Sequence, residues 1–317
     1  MSTSMPIISS SVAVSSFERR RQSTPAAATC SQFTHWGELI QGPVEHRGRI
    51  VTGLITLPRF DLCSTATFTP HDGPLCIHPK WCTKANLAVQ RVLQLTGNSD
   101  CGGTLVIRSN IPLGCGAGGT TADVTASIRA VSRAFGVDLP PDEVQAIDWE
   151  IERAADPLAL IANGDVVLYG SRIGETIKRL RTPLPSMRCL AFNPAPGRQV
   201  LTEEVARNTH YTVSEVKDFR GILSRAIAAI QSGNIGELAV AATESARLNQ
   251  TRVMIPDFNF NVDRCLAAGA LGMSVSHSGT VAAAIFDPAD SQVDARMNEL
   301  AAKFVASGYS HVASFDV

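Results

Sequence analysis

Residues 111–123, with the sequence IPLGCGAGGTTAD, combine residue types that are suited to holding an anion. Four glycines fall within six positions, two threonines follow them, and residues 122–135 are compatible with a helix. Glycine lets backbone N–H groups converge on one point, and the N-terminus of a following helix adds partial positive charge. A threonine hydroxyl in the first helical turn can also reach a bound metal. This pattern predicts a loop, residues 114–121, that binds a polyphosphate.

The loop differs from two familiar phosphate-binding patterns. No lysine follows its glycines, as a GxxxxGK[ST] loop requires. The acidic residue of a dinucleotide-binding fold is also missing at its usual spacing, because Asp138 lies in a proline-rich turn. A mobile loop or a tight strand-to-helix turn is often rich in glycine as well, so the loop alone leaves a purely structural interpretation open.

Residues 34–42, THWGELIQG, place a carboxylate and an amide, Glu38 and Gln41, between two glycines. Such side chains could contact a polar substrate. A turn with a carboxylate at the surface is the structural alternative, which the segment by itself leaves open.

Asp156 follows a predicted helix, residues 140–155, which must end there because Pro157 disfavours the helical conformation for the residue before it. A carboxylate at this point could accept the proton of a substrate hydroxyl, or it could be a solvated helix end. Glu152 lies four residues earlier, so it can share a helical face with Asp156. It is therefore a candidate neighbour of a metal ion.

Residues 274–281, SVSHSGTV, form a polar turn between two apolar segments. Hairpin turns are commonly polar and contain glycine, so structure alone could explain this composition. The same turn offers N–H and hydroxyl donors to a phosphate or carboxylate. His277 and Ser278 are adjacent, but the GxSxG elbow of many hydrolases is absent, which argues against hydrolysis.

Composition restricts the class of protein. The chain has 317 residues, enough for one large domain or two ordinary ones, and its 44% hydrophobic and 18% charged content suits a globular enzyme. With a net charge of −1, the chain lacks the excess positive charge that would attract nucleic acid or an anionic membrane. No apolar run reaches the roughly 18 residues that span a bilayer. The eight cysteines are scattered without metal-ligand spacing, which favours reduced thiols in a cytoplasmic protein.

The elements that must position these segments alternate between strands and helices. Strands are predicted at residues 26–34, 50–57, 62–68, 104–107, 166–169, 189–192, 272–276, 281–286 and 311–315, and helices at 83–95, 122–135, 140–155, 214–231, 235–248, 260–268 and 291–306. This order predicts an α+β arrangement of mixed sheets with helices on one side, in two parts. The serine- and arginine-rich residues 1–25 are predicted to be a disordered extension, with a transit peptide as the alternative.

Taken in this order, the segments resemble the GHMP kinases, small-molecule kinases that bind ATP through a glycine- and serine-rich loop. Within that family the chain is most similar to the L-threonine kinases of cobalamin side-chain synthesis. Residues 37–42, GELIQG, match their Gly-Glu-Leu-[Ile/Val]-Gln-Gly segment, and residues 277–281 match His-Ser-Gly-Thr-Val. Residues 111–123 follow their loop pattern, Ile-Pro-x-Gly-x-Gly-x-Ala-Ser-Ser-Thr-Ala-Asp. The resemblance extends from about residue 26 to the end.

The chain departs from the family pattern at several positions. Gly119-Thr120 replace the paired serines of the loop, and Thr120 keeps the hydroxyl that lies beside Mg²⁺ in the family. Trp36 stands where the family has a cysteine. Of the acidic motif Glu-Pro-[Ser/Thr]-Asp, one alignment retains the aspartate as Asp156, whereas another places Ala159 at that position.

The resemblance implies a two-domain GHMP kinase fold, with ATP and substrate meeting in the cleft between the domains. The N-terminal domain, residues 26–180, would resemble domain 2 of ribosomal protein S5, and the C-terminal domain, residues 181–317, would be ferredoxin-like. The residues expected to bind ATP are Pro112, Gly114, Cys115, Gly116, Ala117, Gly118, Gly119, Thr120 and Thr121. Mg²⁺ would be supported by Thr120 and Glu152, and Asp156 would be the catalytic base. The residues expected to contact the acceptor are Glu38, Gln41, His277, Ser278, Gly279 and Thr280.

The function implied by the resemblance is ATP-dependent phosphorylation of a hydroxyl on a small molecule, with L-threonine or a similar amino acid as the acceptor. Two alternatives stay open. One is a GHMP kinase for another alcohol, such as homoserine, a sugar or an isoprenoid, and the other is a non-catalytic nucleotide-binding relative. The expected partner is a small-molecule substrate rather than nucleic acid or a membrane, and a homodimer is an open alternative.

Overall fold

The structure, a computed structural model, describes residues 24–162, 164–198 and 210–317. The predicted disordered extension, residues 1–25, lies outside the described residues except for its last two positions. Among the helices of these described ranges, none has the length and apolar character needed to cross a membrane.

Ten strands of the described chain form one sheet. Their bounds are β1 Ala28–His46, β2 Arg49–His71, β3 Leu75–His78, β4 Gly102–Ser109, β5 Val166–Gly170, β6 Glu175–Leu180, β7 Arg188–Asn193, β8 Gly272–Val275, β9 Ala282–Phe286 and β10 Ser310–Asp316. The main order is β10-β7-β9-β8-β1-β2-β4-β3, while β5 pairs with β2 and β6. Neighbouring strands are antiparallel except β3 and β4. The sheet continues from one half of the chain to the other because Glu38 of β1 pairs with Val275 of β8.

Eight α-helices accompany these strands in the described part of the chain. Their bounds are α1 Thr83–Leu95, α2 Gly119–Ala134, α3 Pro141–Glu152, α4 Leu158–Ile161, α5 Val213–Ser232, α6 Ile235–Leu248, α7 Phe258–Ala267 and α8 Val293–Ala306. Helix α2 packs on β1 and β2, and helices α5 and α6 pack on β1. The strands and helices together have the predicted α+β character. The predicted boundary near residue 181 falls in the connection between β6 and β7, and the bounds of the two domains stay a prediction.

The hairpin of β1 and β2 corrects the interpretation of residues 34–42 as a possible surface turn. Strand β1 continues through this segment, and its pairing with β2 shifts register between Phe33 and Thr34 and again between His35 and Glu38. A β-bulge absorbs extra residues and bends the strand without ending the pairing. Gly37 lies at this irregularity with φ of 89°, a conformation that favours glycine. The bulge brings His35 and Glu38 into contact, and both side chains are buried.

Helix α3 is shorter than the sequence predicts, and this changes the setting of Asp156. The helix ends at Glu152 rather than residue 155, because Arg153 takes a left-handed conformation with φ of 61°. Asp156 therefore lies in the connection between α3 and α4. It is buried, so the alternative of a solvated helix end is wrong.

The largest group of buried side chains anchors the glycine-rich loop. Ile111, Cys115 and Ala117 belong to it, together with apolar residues of β1, β2, α5 and α6. Full burial of an isoleucine-sized side chain contributes about 1.5–3 kcal/mol. The apolar side chains of the loop therefore anchor it in the core, whereas its glycines have no side chains to contribute.

Candidate functional site

The glycine-rich loop connects β4 to α2, as the sequence predicts. Gly114, Gly116 and Gly118 have φ values of 72°, 81° and 66°, in the left-handed region that side chains disfavour. Gly118 directly precedes the first residue of α2, so the loop runs straight into a helix N-terminus. The observed backbone requires the glycine pattern from which the loop was predicted.

Three consecutive carbonyl groups of the loop point into the protein. The hydroxyl of Thr34 donates to the Ala117 carbonyl, the hydroxyl of Ser276 donates to the Gly116 carbonyl at 2.8 Å, and the N–H of Thr280 donates to the Cys115 carbonyl at 3.0 Å. The N–H and C=O of a trans peptide point in opposite directions. Within the described ranges, no backbone N–H of residues 114–121 donates to an oxygen or nitrogen acceptor. These N–H groups at a helix N-terminus form an arrangement suited to an anion.

The turn that contains Gly279 packs directly against the loop. A Cβ built on Gly116 would lie 2.5 Å from Cα of Gly279, and one built on Gly279 would overlap the carbonyl oxygen of Cys115. The two backbones therefore approach to a distance that only glycine allows. Two motifs that are far apart in the sequence form one structural unit.

Beside this unit lie two imidazoles and two carboxylates. Nε2 of His35 is 3.1 Å from Oδ2 of Asp156, and Nδ1 of His277 is 2.8 Å from Oε1 of Glu38. The pairs are linked, since Nδ1 of His277 lies 4.0 Å from Oδ1 of Asp156 and Nδ1 of His35 lies 3.7 Å from Oε1 of Glu38. All four residues are buried.

Mutual attraction keeps this group charged in spite of burial. For His35, burial acts to lower the pKa, but the charge and hydrogen bond of Asp156 together with the charge of Glu38 raise the pKa to about 9. For Asp156, burial acts to raise the pKa, yet His35 and His277 hold the pKa below its usual value. Burial likewise opposes the charge of His277, and Glu38 raises its pKa. Asp156 is thus ionised at neutral pH, and its Oδ1 has no hydrogen-bond partner among the described residues.

The raised pKa of His35 predicts that stability decreases with increasing pH. Protonated His35 stabilises the folded state fully below its ordinary pKa of 6.5, and this contribution is lost as pH rises through about 9. Since one pKa unit corresponds to about 1.4 kcal/mol, the contribution is on the order of 3 kcal/mol. Urea unfolding at pH 6.5 and pH 9.5 should therefore show a lower free energy of unfolding at the higher pH.

The substitution His35→Gln should lower the stability at pH 6.5 and flatten this pH dependence. The matched control is His78→Gln, which replaces an exposed histidine and should keep the wild-type slope. An equally steep pH dependence in His35→Gln would show that another group causes it.

The two predicted metal neighbours, Thr120 and Glu152, form no hydrogen bond with each other in the described ranges. Thr120 is exposed, and its hydroxyl makes no hydrogen bond to any part of the chain that the structure describes. Instead, the Thr121 hydroxyl donates to Oε2 of Glu152 at 2.8 Å, and Nζ of Lys84 lies 3.0 Å from Oε1 of the same carboxylate. Burial raises the pKa of Glu152, partly offset by Lys84 and Thr121. Glu152 is thus a buried carboxylate with a hydroxyl at one oxygen and an ammonium at the other. Oxygen ligands of this kind suit a hard divalent cation.

A second group has donor types that bind metals. His35, Glu38 and Asp156 each offer one ligand atom, and these atoms lie within 4.8 Å of one another. Imidazole nitrogens suit transition metals, whereas Mg²⁺ prefers oxygen ligands. The oxygen atoms of Glu152 and Thr121 are therefore the better match for Mg²⁺.

Glu38 and Gln41 have protein partners that account for their burial. Both oxygens of Glu38 bind His277, one accepting its backbone N–H at 2.6 Å and the other facing its ring. The Gln41 side chain donates to the Val275 carbonyl at 3.0 Å, and its backbone N–H donates to the Ser245 hydroxyl at 2.8 Å. The contacts observed for these two side chains support the neighbouring strand and turn. Their predicted contact with an acceptor stays a prediction.

The other predicted residues line the junction between loop and turn. Pro112 precedes the loop, and Cys115 is buried, which raises the pKa of its thiol. Ser278 is partly buried and donates its N–H to the Ser276 hydroxyl at 3.3 Å. The buried Thr280 hydroxyl has no hydrogen-bond partner in the described ranges. It is available to a ligand that reaches the turn.

Sequence reasoning missed three residues of this site. His35 stands within the segment THWGELIQG, three positions before Glu38, and this spacing of an imidazole and a carboxylate was a usable signal. Asp148 lies one helical turn before Glu152, is fully buried, and accepts the Thr125 hydroxyl at 2.5 Å. Lys84 gives no signal in the sequence, because an exposed lysine in a first helical turn is common.

Family models match both halves of the chain. Residues 83–167 match the N-terminal domain of the GHMP kinases, and residues 226–303 match their C-terminal domain, together just over half of the chain. Among curated relatives, a homoserine kinase of Carboxydothermus hydrogenoformans is 25% identical over 206 residues, 63% of this chain and 65% of that protein. A 4-diphosphocytidyl-2-C-methyl-D-erythritol kinase of Caldicellulosiruptor saccharolyticus is 30% identical over 183 residues, 57% of this chain and 58% of that protein. The chain thus spans less than two thirds of either relative.

Solved structures extend the likeness over nearly the whole chain. A homoserine kinase from Cytophaga hutchinsonii superposes with a TM-score of 0.68 at 16% identity, covering 94% of this chain and 96% of that one. An L. major mevalonate kinase in complex with R-mevalonate gives a TM-score of 0.63 at 18% identity, covering 93% and 96%. At this identity the likeness concerns the fold. It confirms the predicted two-domain arrangement.

Proposed function

Because this chain belongs to the GHMP kinases, we propose that it transfers the terminal phosphoryl group of ATP to a hydroxyl group of a small molecule. The observation that carries the proposal is the loop of residues 114–121. Three of its carbonyl groups accept hydrogen bonds from protein donors, and its N–H groups have no oxygen or nitrogen acceptor in the described ranges. An ionised, buried Asp156 with one free oxygen lies beside it. A phosphate cradle next to a base is what phosphoryl transfer needs.

Different groups of the chain bind the phosphates and the metal ion in this proposal. The N–H groups of residues 114–121 would hold the phosphates of ATP, and Glu152 with the hydroxyl of Thr121 would hold Mg²⁺. Thr120, next to Thr121, is the further candidate that the resemblance implies. When bound, the metal supplies neutralisation of phosphate charge.

Asp156 orients the acceptor hydroxyl and takes its proton through Oδ1. The acceptor oxygen forms the new bond to the terminal phosphorus, the bond from that phosphorus to the bridging oxygen breaks, and ADP leaves. His35 keeps Asp156 ionised, because the imidazolium stabilises the carboxylate against burial.

For the acceptor, we favour L-threonine or a similar amino acid. The segments GELIQG and HSGTV support this choice, as does the likeness to homoserine kinases, whose substrate is also a hydroxy amino acid. The same motifs favour a place in cobalamin side-chain synthesis. The relative that acts on 4-diphosphocytidyl-2-C-methyl-D-erythritol keeps a different alcohol open as the second candidate.

A coupled assay of ADP release tests the proposal directly. Purified protein with Mg²⁺-ATP should release ADP faster with L-threonine than with L-serine, L-homoserine or simple sugars, because only the correct acceptor places its hydroxyl at Asp156. Binding of ATP without turnover on any acceptor would favour a non-catalytic relative. Absence of magnesium-dependent affinity for adenine nucleotides would contradict the kinase assignment.

A further inference from the structure

Lys84 reaches from the surface to a buried carboxylate. Its Nζ lies 3.0 Å from Oε1 of Glu152, and the Lys84 side chain is 45% exposed whereas that of Glu152 is 7% exposed. Oε2 of Glu152 accepts the Thr121 hydroxyl. Among the lysines and arginines of the described ranges, Lys84 alone pairs with one of the carboxylates Asp148, Glu152 and Asp156. The singly charged ammonium of Lys84 thus pairs with Glu152, the carboxylate that best suits a divalent cation.

Lys84 also lies close to the phosphate loop. It belongs to the first turn of α1, and the start of α1 adjoins the N-terminal part of α2, since Sγ of Cys82, the residue before α1, is 3.8 Å from Oδ2 of Asp123, the fifth residue of α2. The N–H groups of residues 114–121 lie at the same end of α2. A lysine ammonium on its flexible four-carbon stem can therefore move between Glu152 and a phosphate in the loop without a change in the backbone.

We infer that Lys84 changes partners when nucleotide binds, leaving Glu152 and pairing with the terminal phosphates of ATP. This inference rests on the proposed function. Glu152 attracts a divalent cation more strongly than an ammonium because the charge is doubled. Once Glu152 holds such a cation, like charges repel Lys84, and a triphosphate in the neighbouring loop offers Lys84 a new anionic partner. Lys84 is then a phosphate-binding residue that adds positive charge where phosphoryl transfer redistributes negative charge.

Two binding measurements test this exchange without relying on turnover. In Lys84→Met, which keeps the stem but removes the charge, equilibrium titration should show about tenfold weaker binding of Mg²⁺-ATP, the effect of losing a charge-assisted hydrogen bond. In the absence of nucleotide, the same variant should bind Mn²⁺ about threefold more tightly by electron paramagnetic resonance, because the competing ammonium is gone. Lys84→Arg should bind Mg²⁺-ATP within about threefold of the wild type.

The matched control is Lys80→Met, which removes an exposed lysine four residues earlier and should change neither affinity. An unchanged affinity of Lys84→Met for Mg²⁺-ATP, or weaker Mn²⁺ binding, would overturn the exchange while leaving the kinase assignment intact. A wild-type protein with no magnesium-dependent affinity for ATP would overturn both. A purely structural role for Lys84 would lower the thermal stability of Lys84→Met and leave both affinities unchanged.

Discussion

Replacement of Asp156 by asparagine is expected to lower kcat by about 10²–10⁴-fold, the range typical of a general base. The asparagine side chain keeps the size of the carboxylate but cannot take a proton from the acceptor hydroxyl. Because Asp156 lies beside the loop rather than in it, the Kd for Mg²⁺-ATP should change little. Steady-state kinetics with L-threonine and a separate nucleotide titration measure the two quantities.

The control for this variant is Asp72→Asn, which alters an exposed aspartate and should leave kcat unchanged. The loss of the ion pair with His35 also predicts that Asp156→Asn is less stable at neutral pH. Folding should therefore be verified by circular dichroism. Wild-type turnover in a folded Asp156→Asn protein would remove Asp156 from the proposed mechanism.

Gly279→Ala is expected to weaken nucleotide binding by about 100-fold or more, although Gly279 lies outside the loop. The added Cβ would overlap the carbonyl oxygen of Cys115 and approach Cα of Gly116. These are backbone atoms, which cannot yield as the end of a flexible side chain can, so the loop itself must move. Displaced N–H groups no longer converge on the phosphates. Titration with a fluorescent ATP analogue measures the loss.

Gly221→Ala provides the matched control, since a Cβ at this position in α5 meets no atom within 4 Å. Alanine favours a helix interior over glycine by about 1 kcal/mol, so this variant should be slightly more stable and keep the wild-type Kd. A folded Gly279→Ala protein that binds nucleotide as well as Gly221→Ala does would show that the turn does not determine the shape of the loop.

The local features of the site could be predicted from the sequence because they depend on neighbouring residues. The spacing of Gly114, Gly116 and Gly118 predicts the loop, and these three glycines take the conformations that glycine alone adopts readily. The apolar strand before the loop and the helix after it follow from their own residues. The order of the predicted strands and helices indicates an α+β arrangement in two parts, and the family motifs identify it as the two-domain fold of the GHMP kinases.

The long-range partners of the site could not be predicted in the same way. Ser276 and Gly116 are 160 positions apart, and His35 and Asp156 are 121 positions apart, so their contacts depend on strand order and register. Thr121 rather than Thr120 contacts Glu152 because α2 begins at Gly119. Each residue turns a helix by about 100°, so an error of one residue in the start of a helix exchanges an inward position for an outward one.

The end of α3 illustrates a third limit. Arg153 adopts a left-handed conformation that non-glycine residues rarely take, and the sequence offers no sign of it. That single conformation ends the helix early and redirects the chain. As a result, Asp156 enters the interior instead of extending a helix into solvent.

Because the sheet continues across both halves of the chain, residues of both halves support the glycine-rich loop. Of the three protein donors that orient its carbonyl groups, Thr34 comes from the first half of the chain, whereas Ser276 and Thr280 come from the second. A fragment ending after β6 would contain every glycine of the loop yet lack two of these donors and the strand that pairs with Glu38. We therefore expect neither half of the chain to be active alone. A duplication or an exchange of one half would have to preserve these contacts between the halves.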